Sequence, residues 1–283
     1  MIKISRVGFV IKPHAPGVEA VLRELVDYLG KRGVASVLED AAARKLGRAR
    51  GVKREELPEK VDLVVVLGGD GTILSVAHKA ARAGVPVMGV NLGRLGFLTE
   101  IPVSEARQAL DLVLAGEAES VISPRRLIET RYGRKVHLCL NDVVINKGAL
   151  SRMIQIAIRI DGKEIAVLKA DGVIVATPTG STAYSLSAGG PIVEPGVRAL
   201  VLSPICPHTL TFRPLVISAD STIGLKLITD GEEVYLTFDG QRGAHLEKND
   251  EVEVRTSPIE LKLITSPKRN YFGLVKEKLG WAE

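Results

Sequence analysis

A mostly apolar run that ends in a glycine-rich loop limits the folds open to this chain. Residues 61–67 read Val-Asp-Leu-Val-Val-Val-Leu, and residues 68–72 read Gly-Gly-Asp-Gly-Thr. A strand that is apolar on both faces is typical of a parallel sheet covered by helices. Glycine packs nothing, but it lets the backbone approach a ligand and present N–H groups to an anion. The segment therefore predicts a buried parallel strand followed by a phosphate-binding turn.

The residues around this loop alternate between strand and helix patterns. Strands are predicted at residues 7–11, 36–38, 61–67 and 85–90, and helices at 18–29, 72–83 and 103–114, with Thr72 as a helix cap. This order predicts an α/β N-terminal domain with an open parallel sheet, and the glycine loop at the carboxyl ends of the strands. The alternative for the loop is a tight turn in which Asp70 caps the helix. It is not a Walker A loop, because no Gly-Lys-Ser/Thr follows.

Short strands dominate the chain from about residue 119. They are predicted at residues 153–160, 163–168, 172–176, 215–218, 222–228, 233–238, 251–255 and 259–264, before a helix at 271–279. Asp161-Gly162 is a hairpin signal between the first two. This spacing predicts a β-rich, β-sandwich-like C-terminal domain. We therefore divide the chain into residues 1–100, joined by the tail 266–283, and residues 101–265.

The composition excludes several classes of protein. The net charge is only +5, from 38 basic and 33 acidic residues, and aromatics make up 4%, which argues against a nucleic-acid partner. No apolar run approaches the roughly 20 residues that span a bilayer, and no signal peptide is evident, so we expect a cytoplasmic protein without membrane association. Cys139 and Cys206 are expected to be buried free thiols, and Lys53-Arg54 beside Glu55-Glu56 to be a solvated face.

Two further segments concentrate polar groups. Asn141-Asp142 precedes a β-branched run; the pair is suited to bind hydroxyls in a fork, although Asn-Asp alone is more often a turn. Residues 169–191 crowd hydroxyls between glycines and prolines. There, Thr179 or Ser181 is expected to cap a short helix, and Tyr184 is a candidate to stack on a base. The alternative is a Ser/Thr-rich loop without a ligand.

Together, these segments resemble the NAD kinase family. The resemblance rests on Gly68–Thr72, the Asn-Leu-Gly-Arg-Leu-Gly-Phe-Leu run at 91–98, Asn141-Asp142, residues 171–191, Pro-Ile-Cys-Pro-His-Thr-Leu at 204–210 and Phe-Asp-Gly-Gln at 238–241. The match runs in order over most of the chain. The glycine loop alone is shared with diacylglycerol, sphingosine and phosphofructokinase-type enzymes, whereas residues 171–191 are more specific.

The resemblance implies phosphorylation of the adenosine 2′-hydroxyl of NAD by ATP, giving NADP. It makes Asp70 the catalytic aspartate and implies a phosphate-donor loop of Gly68, Gly69, Asp70, Gly71 and Thr72. The NAD-binding residues it implies are Gly71, Asn141, Asp142, Arg152, Lys169, Asp171, Thr182, Ala183, Tyr184, Ser185, Leu186, Ser187 and Gln241. The family commonly has Asn-Glu where this chain has Asn141-Asp142, and the shorter carboxylate is expected to keep the same hydrogen bonds.

The resemblance also implies a divalent metal, with Mg²⁺ expected, and a homodimer or homotetramer. Asp70 is expected to accept the proton of the 2′-hydroxyl or, alternatively, to orient the metal. The metal ligands, the use of polyphosphate as donor, the use of NADH as acceptor and feedback by NADP or NADPH stay open. The alternatives are a lipid or sugar kinase that shares the glycine loop, and a dinucleotide sensor without catalysis.

Overall fold

A computed structural model of the chain describes residues 4–281, which fall into two compact units. Unit 1 comprises Met1–Pro124 with Leu261–Glu283, and unit 2 comprises Arg125–Glu260. The predicted domains, residues 1–100 with 266–283 and residues 101–265, have other bounds. Because compactness does not define a functional domain, they stay a prediction. Residues 1–3 and 282–283, which the predicted ranges include, lie outside the described residues.

The chain is richer in strands than in helices. The strands are β1 (Arg6–Ile11), β2 (Ala35–Leu38), β3 (Leu63–Gly68), β4 (Val87–Asn91), β5 (Ile101–Pro102), β6 (Ile122–Tyr132), β7 (Lys135–Cys139), β8 (Asp142–Lys147), β9 (Ile154–Ile160), β10 (Lys163–Ala170), β11 (Gly172–Ala176), β12 (Ala199–Ile205), β13 (Leu215–Ser218), β14 (Ile223–Leu227), β15 (Val234–Phe238), β16 (Arg242–Leu246) and β17 (Glu251–Ile264). The helices are α1 (Val18–Gly30), α2 (Asp40–Lys45), α3 (Asp70–Ala83), α4 (Val103–Leu114), α5 (Tyr184–Ser187) and α6 (Tyr271–Leu279), with 3₁₀ turns at Leu57–Lys60, Ala118–Ser120 and Thr179–Thr182. No helix within residues 4–281 is long and apolar enough to cross a membrane.

Unit 1 contains the predicted open parallel sheet. Its strands lie in the order β2-β1-β3-β4, and every pair is parallel. The end of β17 also pairs with β4 in parallel, through Leu263 and Ile264. Every residue of β3 is buried, as its two-sided apolar pattern predicts. The sheet therefore brings the carboxyl ends of β1, β3 and β4 side by side, which is where the glycine loop lies.

The glycine loop enters α3 directly, so the prediction that Thr72 caps this helix is wrong. The helix begins at Asp70, and its N-cap is Gly69, which offers no side chain. The N–H of Thr72 instead donates to the carbonyl of Gly69 at 2.8 Å. The alternative that Asp70 caps the helix also fails, because its carboxylate is bonded to another loop, residues 97–99. The loop is thus the first turn of a helix.

Unit 2 is built from two mostly antiparallel sheets around one core, which confirms the predicted β-sandwich-like domain. One sheet has the order β13-β12-β11-β8-β15-β16, and the other contains β10-β9-β14-β17, with β6 beside β17 and β7 beside β6. Buried side chains of both sheets form the common core, among them Ile128, Val143, Ile156 and Phe238. The predicted hairpin at Asp161-Gly162 is confirmed, since both residues have positive φ angles, 51° and 77°.

The prediction of two strands at 251–255 and 259–264 is wrong, because β17 is a single strand of 14 residues. Pro258 suggested a break, since proline cannot donate to a ladder. Proline is tolerated here because the local backbone is held by side chains. The hydroxyl of Ser257 accepts from the N–H of Ile259 at 3.1 Å, and the Thr256 hydroxyl donates to the carbonyl of Ala219 at 2.6 Å.

The two cysteines differ in exposure. Cys139 is a buried free thiol, as predicted, and burial raises its pKa well above the usual value. Cys206 is also free but exposed, so the prediction is wrong for this residue. It follows β12 with a φ of 45° and precedes Pro207, in a turn that leaves the strand. The residues before Cys206 are mostly apolar, so nothing in the sequence indicated that the backbone turns outward at this position.

Candidate active site

The carboxylate of Asp70 is fixed by the loop that follows β4. Its Oδ1 accepts hydrogen bonds from the N–H of Leu98 (3.0 Å) and from the N–H and the hydroxyl of Thr99 (both 2.9 Å). Its Oδ2 accepts one, from the N–H of Phe97 at 2.9 Å. Four donors set the orientation of this half-buried side chain. Because an ionised carboxylate offers about four lone-pair sites, Oδ2 keeps capacity for a further partner.

The Asn91–Leu98 motif has a structural explanation in this loop. The Asn91 amide donates to the carbonyl of Arg94 and, at 3.3 Å, to the Thr99 hydroxyl, while its oxygen accepts from the N–H of Gly93 at 2.6 Å. A Cβ at Gly96 would overlap Oδ1 of Asp70 and Oγ1 of Thr99. The motif therefore builds a loop whose N–H groups converge on Asp70.

The glycines of the predicted phosphate-donor loop serve two purposes. At Gly68, a Cβ would lie 2.6 Å from Oγ1 of Thr72 and 3.1 Å from Cβ of Lys12, so this glycine is required by packing. No atom lies within 4 Å of the corresponding position at Gly69 or Gly71. These two leave open space at the N-terminus of α3, where backbone N–H groups favour an anion. The geometry suits a phosphate.

Arg54 also lies in unit 1. The sequence predicted that it belongs to a solvated face, and this prediction is wrong for Arg54. Its guanidinium donates twice to Glu39, from Nε at 2.6 Å and from Nη2 at 2.9 Å, and once to the hydroxyl of Ser75 on α3 at 3.0 Å. Glu39 is only 2% exposed, and it also accepts the N–H of Ile11 at 2.7 Å. This buried ion pair ties the end of β1 to α3, next to the glycine loop.

In unit 2, the Asn141-Asp142 pair lies at the start of β8 and is held by Asp239. The carboxylate of Asp239 accepts from the N–H of Leu140 (2.9 Å), Asn141 (2.7 Å) and Asp142 (3.2 Å). Asp239 occupies the turn between β15 and β16, with a φ of 51°. The pair is therefore not a simple turn, the more common role of Asn-Asp, but a segment with an imposed conformation.

Asp142 itself is buried beside a second carboxylate. It is 5% exposed. Burial and then the charge of Asp239 raise the pKa of Asp142 to about 7. Burial also raises the pKa of Asp239, but the three N–H donors and Arg242 act in the opposite direction. Since Asp239 has these donors, it holds its negative charge more readily, and Asp142 is the member of the pair that takes up a proton near neutral pH.

The hydroxyl-rich loop after β11 packs against the same pair. The Thr177 hydroxyl donates to the carbonyl of Leu140 at 2.6 Å and accepts from the N–H of Gly180 at 3.0 Å. A Cβ at Gly180 would overlap the carbonyl oxygen of Asn141. The expectation that Thr179 or Ser181 caps a helix is wrong: the 3₁₀ turn follows Pro178 without a side-chain cap, and the Ser181 hydroxyl bonds to Pro178 and Val193.

The residues of the predicted NAD-binding loop differ in what they expose. Tyr184 is 46% exposed, so its ring is accessible for stacking. Ser187 is exposed, and Thr182, Ala183 and Leu186 are partly exposed. Ser185 is fully buried, and its hydroxyl lies 2.9 Å from that of Ser203. Its side chain therefore stabilises the loop, and its assignment to NAD stays a prediction.

The remaining predicted NAD-binding residues divide between the two ends of the β8–β11–β15 sheet. Gln241, in the β15–β16 turn, lies at the Asn141-Asp142 end, where its N–H donates to Phe238 at 2.9 Å. Asp171 lies at the other end, because Gly172 pairs with Asn146 while Ala176 pairs with Asp142. There, a carboxylate oxygen of Asp171 is 3.9 Å from Nζ of Lys147. Five residues of strand separate the two ends, about 16 Å.

Arg152 and Lys169 accompany Asp171 rather than Asp142. Both line an open recess of about 470 Å³, together with Met153, Gln155, Thr229 and Glu232. The structure thus groups the predicted NAD residues into two sets: Asn141, Asp142, Gln241 and the 182–187 loop in one, and Arg152, Lys169 and Asp171 in the other. Thr99 and Asp239, which orient Asp70 and Asn141-Asp142, were not predicted. Of the sequence motifs, Phe-Asp-Gly-Gln contains Asp239, whereas the run at 91–98 ends one residue before Thr99.

A fixed carboxylate after a Gly-Gly loop, at the carboxyl ends of a parallel sheet, defines a kinase of the glycine-loop class. Two family models then match the chain: the ATP-NAD kinase N-terminal domain over residues 7–118 and the ATP-NAD kinase C-terminal domain over residues 140–266. The chain belongs to the NAD kinase family.

Similar proteins extend over the whole chain. The NAD kinase of Geotalea daltonii is 43% identical over 288 residues, covering 99% of this chain and 100% of the relative. That of Syntrophotalea carbinolica is 44% identical over 286 residues, with the same coverage. Among solved structures, yeast NADH kinase complexed with NADH has a TM-score of 0.89 at 28% identity, covering 99% of this chain and 89% of the yeast chain. An NAD kinase from Archaeoglobus fulgidus in complex with ATP has a TM-score of 0.78 at 28% identity, covering 96% of this chain and 98% of the other.

Proposed function

We propose that this member of the NAD kinase family transfers the terminal phosphoryl group of ATP to the adenosine 2′-hydroxyl of NAD, with Asp70 as the base. Membership of the family makes the chain a phosphotransferase that uses ATP and NAD. The observation that carries the role of Asp70 is its position. A carboxylate held by four hydrogen bonds stands at the N-terminus of α3, in a loop whose glycines leave room for phosphate.

The chemistry follows from these groups. The 2′-oxygen attacks the terminal phosphorus of ATP, the bond from that phosphorus to the ADP oxygen breaks, and the hydroxyl proton passes to Asp70. An alcohol is a weak nucleophile, so a base within reach of its proton contributes to the rate. Within residues 4–281, Oδ2 accepts the N–H of Phe97 alone, so it is the oxygen with capacity for that proton. The N–H groups at the start of α3 hold phosphate charge, as phosphoryl transfer requires.

We propose that Mg²⁺ enters with the phosphates of ATP. Among residues 4–281, no group of three or more His, Cys, Asp or Glu side chains is placed to hold a metal ion. A single carboxylate beside a phosphate-binding loop fits Mg²⁺, because that ion is commonly bound through one or two carboxylates and substrate phosphates. As the alternative to its role as base, Asp70 is the carboxylate of the glycine loop that would contribute a ligand. When bound, the ion would neutralise charge on the transferred phosphoryl group.

A substitution of Asp70 by Asn tests the role as base. The amide keeps the size of the side chain but accepts no proton, so kcat is expected to fall about 10²- to 10⁴-fold while the Kd for NAD changes little. The matched control is Asp40→Asn, because Asp40 likewise begins a helix after a strand of the same sheet. NADP formation is measured in a coupled assay with NAD, ATP and Mg²⁺. An Asp70→Asn protein with turnover within tenfold of wild type would exclude both the base and the metal-orienting role.

We propose that the working enzyme is a homo-oligomer in which a second copy completes the NAD site. The support is that Asn141 and Asp142 lie at one end of a sheet, and Asp171 at the other. Asp142→Asn and Asp171→Ala proteins, each of low activity alone, would be mixed, unfolded and refolded together. Recovery of about a quarter of wild-type activity is expected for a dimer with two shared sites, and light scattering would give the subunit number. No recovery would mean that one copy supplies both ends.

The other hypotheses are separated by substrate. Family membership argues against a lipid or sugar kinase, and NADP formation would exclude a sensor that only binds dinucleotide. Parallel assays with ATP and polyphosphate, and with NAD and NADH, would determine donor and acceptor. A cytoplasmic location stays a prediction.

A further inference from the structure

Asp239 makes contacts that a turn residue does not need. Its two carboxylate oxygens accept three consecutive backbone N–H groups, those of Leu140, Asn141 and Asp142, at 2.7 to 3.2 Å. These groups are 97 to 99 residues away along the chain. Asp239 is only 8% exposed, so it carries this role inside the protein. Three hydrogen bonds to one charged group fix the backbone of the Asn141-Asp142 pair more firmly than neutral acceptors would.

The turn itself does not explain the carboxylate. Asp239 and Gly240 have φ angles of 51° and 60° in the three-residue loop 239–241 between β15 and β16, a conformation that Asp, Asn and Gly tolerate. Asparagine fits such a turn at least as well as aspartate, because it tolerates the same conformation. A buried carboxylate is also costly unless its charge is used. The feature that distinguishes Asp239 from Asn here is the negative charge that it presents to the pair.

We propose that Asp239 is a positioning residue, which fixes the Asn141-Asp142 pair for the NAD ribose through its three backbone hydrogen bonds. This inference rests on the proposed role of the pair in NAD binding. It adds a residue that itself touches neither substrate, and whose effect is exerted through Asp142.

The charges around Asp142 make its environment measurable as a dependence on pH. The charged group that acts on Asp142 is Asp239, and Arg242, at the start of β16, acts on Asp239. Asp142 in turn helps to raise the pKa of the buried Cys139 thiol, after burial and the charge of Asp239. Within residues 4–281, no hydrogen-bond donor opposes the rise in the pKa of Asp142. Hydroxyl groups of a ribose would supply such donors, and they bond more strongly to a charged carboxylate than to a neutral acid. Because burial and then the charge of Asp239 raise the pKa of Asp142 to about 7, Asp142 is a charged acceptor for such hydroxyl donors only above about neutral pH.

The test is the pH dependence of the KM for NAD, measured from about pH 5.5 to 9 in wild type and Asp239→Asn. The amide keeps the turn but removes the charge and at least one of the three bonds. At about pH 8, KM is expected to rise about tenfold or more, the effect of one charge-assisted hydrogen bond, with kcat within about threefold. The pH at which KM changes is expected to move lower, because Asp142 ionises more easily without a neighbouring charge.

Asp161→Asn is the matched control. Asp161 is also an aspartate with a φ of 51° before a glycine in a hairpin, and its carboxylate bonds to Ser221 and Thr222. It lies in the β9–β10 turn, so both KM and its pH dependence are expected to match wild type. In an Asp142→Asn background, Asp239→Asn is expected to leave the pH dependence of KM unchanged.

Several outcomes would overturn the inference. Wild-type KM and pH dependence in Asp239→Asn would show that the charge has no role. If that variant does not fold by circular dichroism, Asp239→Glu decides: it keeps the charge but displaces the pair, so a raised KM with the wild-type pH midpoint is expected, and a wild-type KM contradicts positioning. A wild type that forms no NADP, or an Asp142→Asn protein with wild-type KM, refutes the proposed function of the pair instead, and the inference with it.

Discussion

Thr99 donates to one oxygen of Asp70 through both its backbone and its side chain. The N–H and the hydroxyl each lie 2.9 Å from Oδ1, and Thr99 is fully buried. The hydroxyl in turn accepts from the amide of Asn91 at 3.3 Å. The acid at the start of α3 is thus oriented by a buried residue 29 positions further along the chain.

Thr99→Val removes this hydroxyl but keeps the shape of the side chain and the backbone N–H. Asp70 then loses one of its four donors, and the Asn91 amide loses an acceptor. We expect kcat to fall about tenfold, which corresponds to about 1.4 kcal/mol, a typical value for one hydrogen bond. The KM for NAD is expected to stay within about twofold, as measured by steady-state kinetics. Thr99→Ser, which keeps the hydroxyl, is expected to retain most activity; equal losses in both variants would contradict this explanation.

Gly96→Ala tests the same loop from the other side. The added Cβ would overlap Oδ1 of Asp70 and Oγ1 of Thr99, so the carboxylate must turn away or the loop must move. We expect a loss in kcat of about 10²-fold, because a displacement near 1 Å has this effect on a positioned group. Gly93→Ala is the control, since no atom lies within 4 Å of the new Cβ. A normal kcat in Gly96→Ala would show that the position of Asp70 is not critical.

Much of the fold could be predicted because local patterns agree with tertiary structure. β11, β13, α4 and α6 have the predicted bounds, and β3 is buried on both faces as its sequence indicates. The strands that were not predicted are β5, β6, β7, β8, β12 and β16, and several of them have weaker local signals. β6 and β12 contain proline, and four of the five residues of β16 are not buried. Their conformation is determined by the strands beside them, as is usual for residues of low intrinsic β propensity.

The site was only partly predictable, for a related reason. Asp70 and Asn141-Asp142 lie in short motifs, so the sequence alone places them in a site. Thr99 and Asp239 act through hydrogen bonds to residues far along the chain, and no local pattern encodes such contacts. Asp239-Gly240 lies in a turn, but the three N–H groups that the carboxylate of Asp239 accepts belong to residues 140–142, at the start of β8. The division of the NAD residues between two sheet ends likewise depends on strand register.

The buried pair of Arg54 and Glu39 is expected to contribute strongly to the stability of unit 1. Arg54→Met leaves the carboxylate of Glu39, which is 2% exposed, with the N–H of Ile11 alone. Removing one partner of a buried pair typically costs about 3–5 kcal/mol, and we expect about 3 because the Arg54 side chain is 30% exposed. Urea unfolding would measure the change. The control is Arg23→Met, whose exposed pair with Glu19 contributes about 0.3–0.5 kcal/mol. A loss below about 1 kcal/mol for Arg54→Met would refute this estimate.

Asp142 is expected to make the stability of the protein depend on pH. Its pKa of about 7 in the folded protein lies above the unfolded value of 3.8, so the native state binds the proton more tightly. The stability that this proton contributes is complete below the unfolded pKa and is lost as the pH rises through about 7. The variant Asp142→Asn carries no charge at this position at any pH. The Tm of the variant minus that of wild type is therefore expected to be near zero at about pH 4 and clearly positive at about pH 8. Thermal unfolding from about pH 4 to 8 would measure the difference, with Asp230→Asn, an exposed surface substitution, as the control without such a trend. A difference in Tm that stays constant over this range would show that Asp142 is ionised in the folded protein throughout.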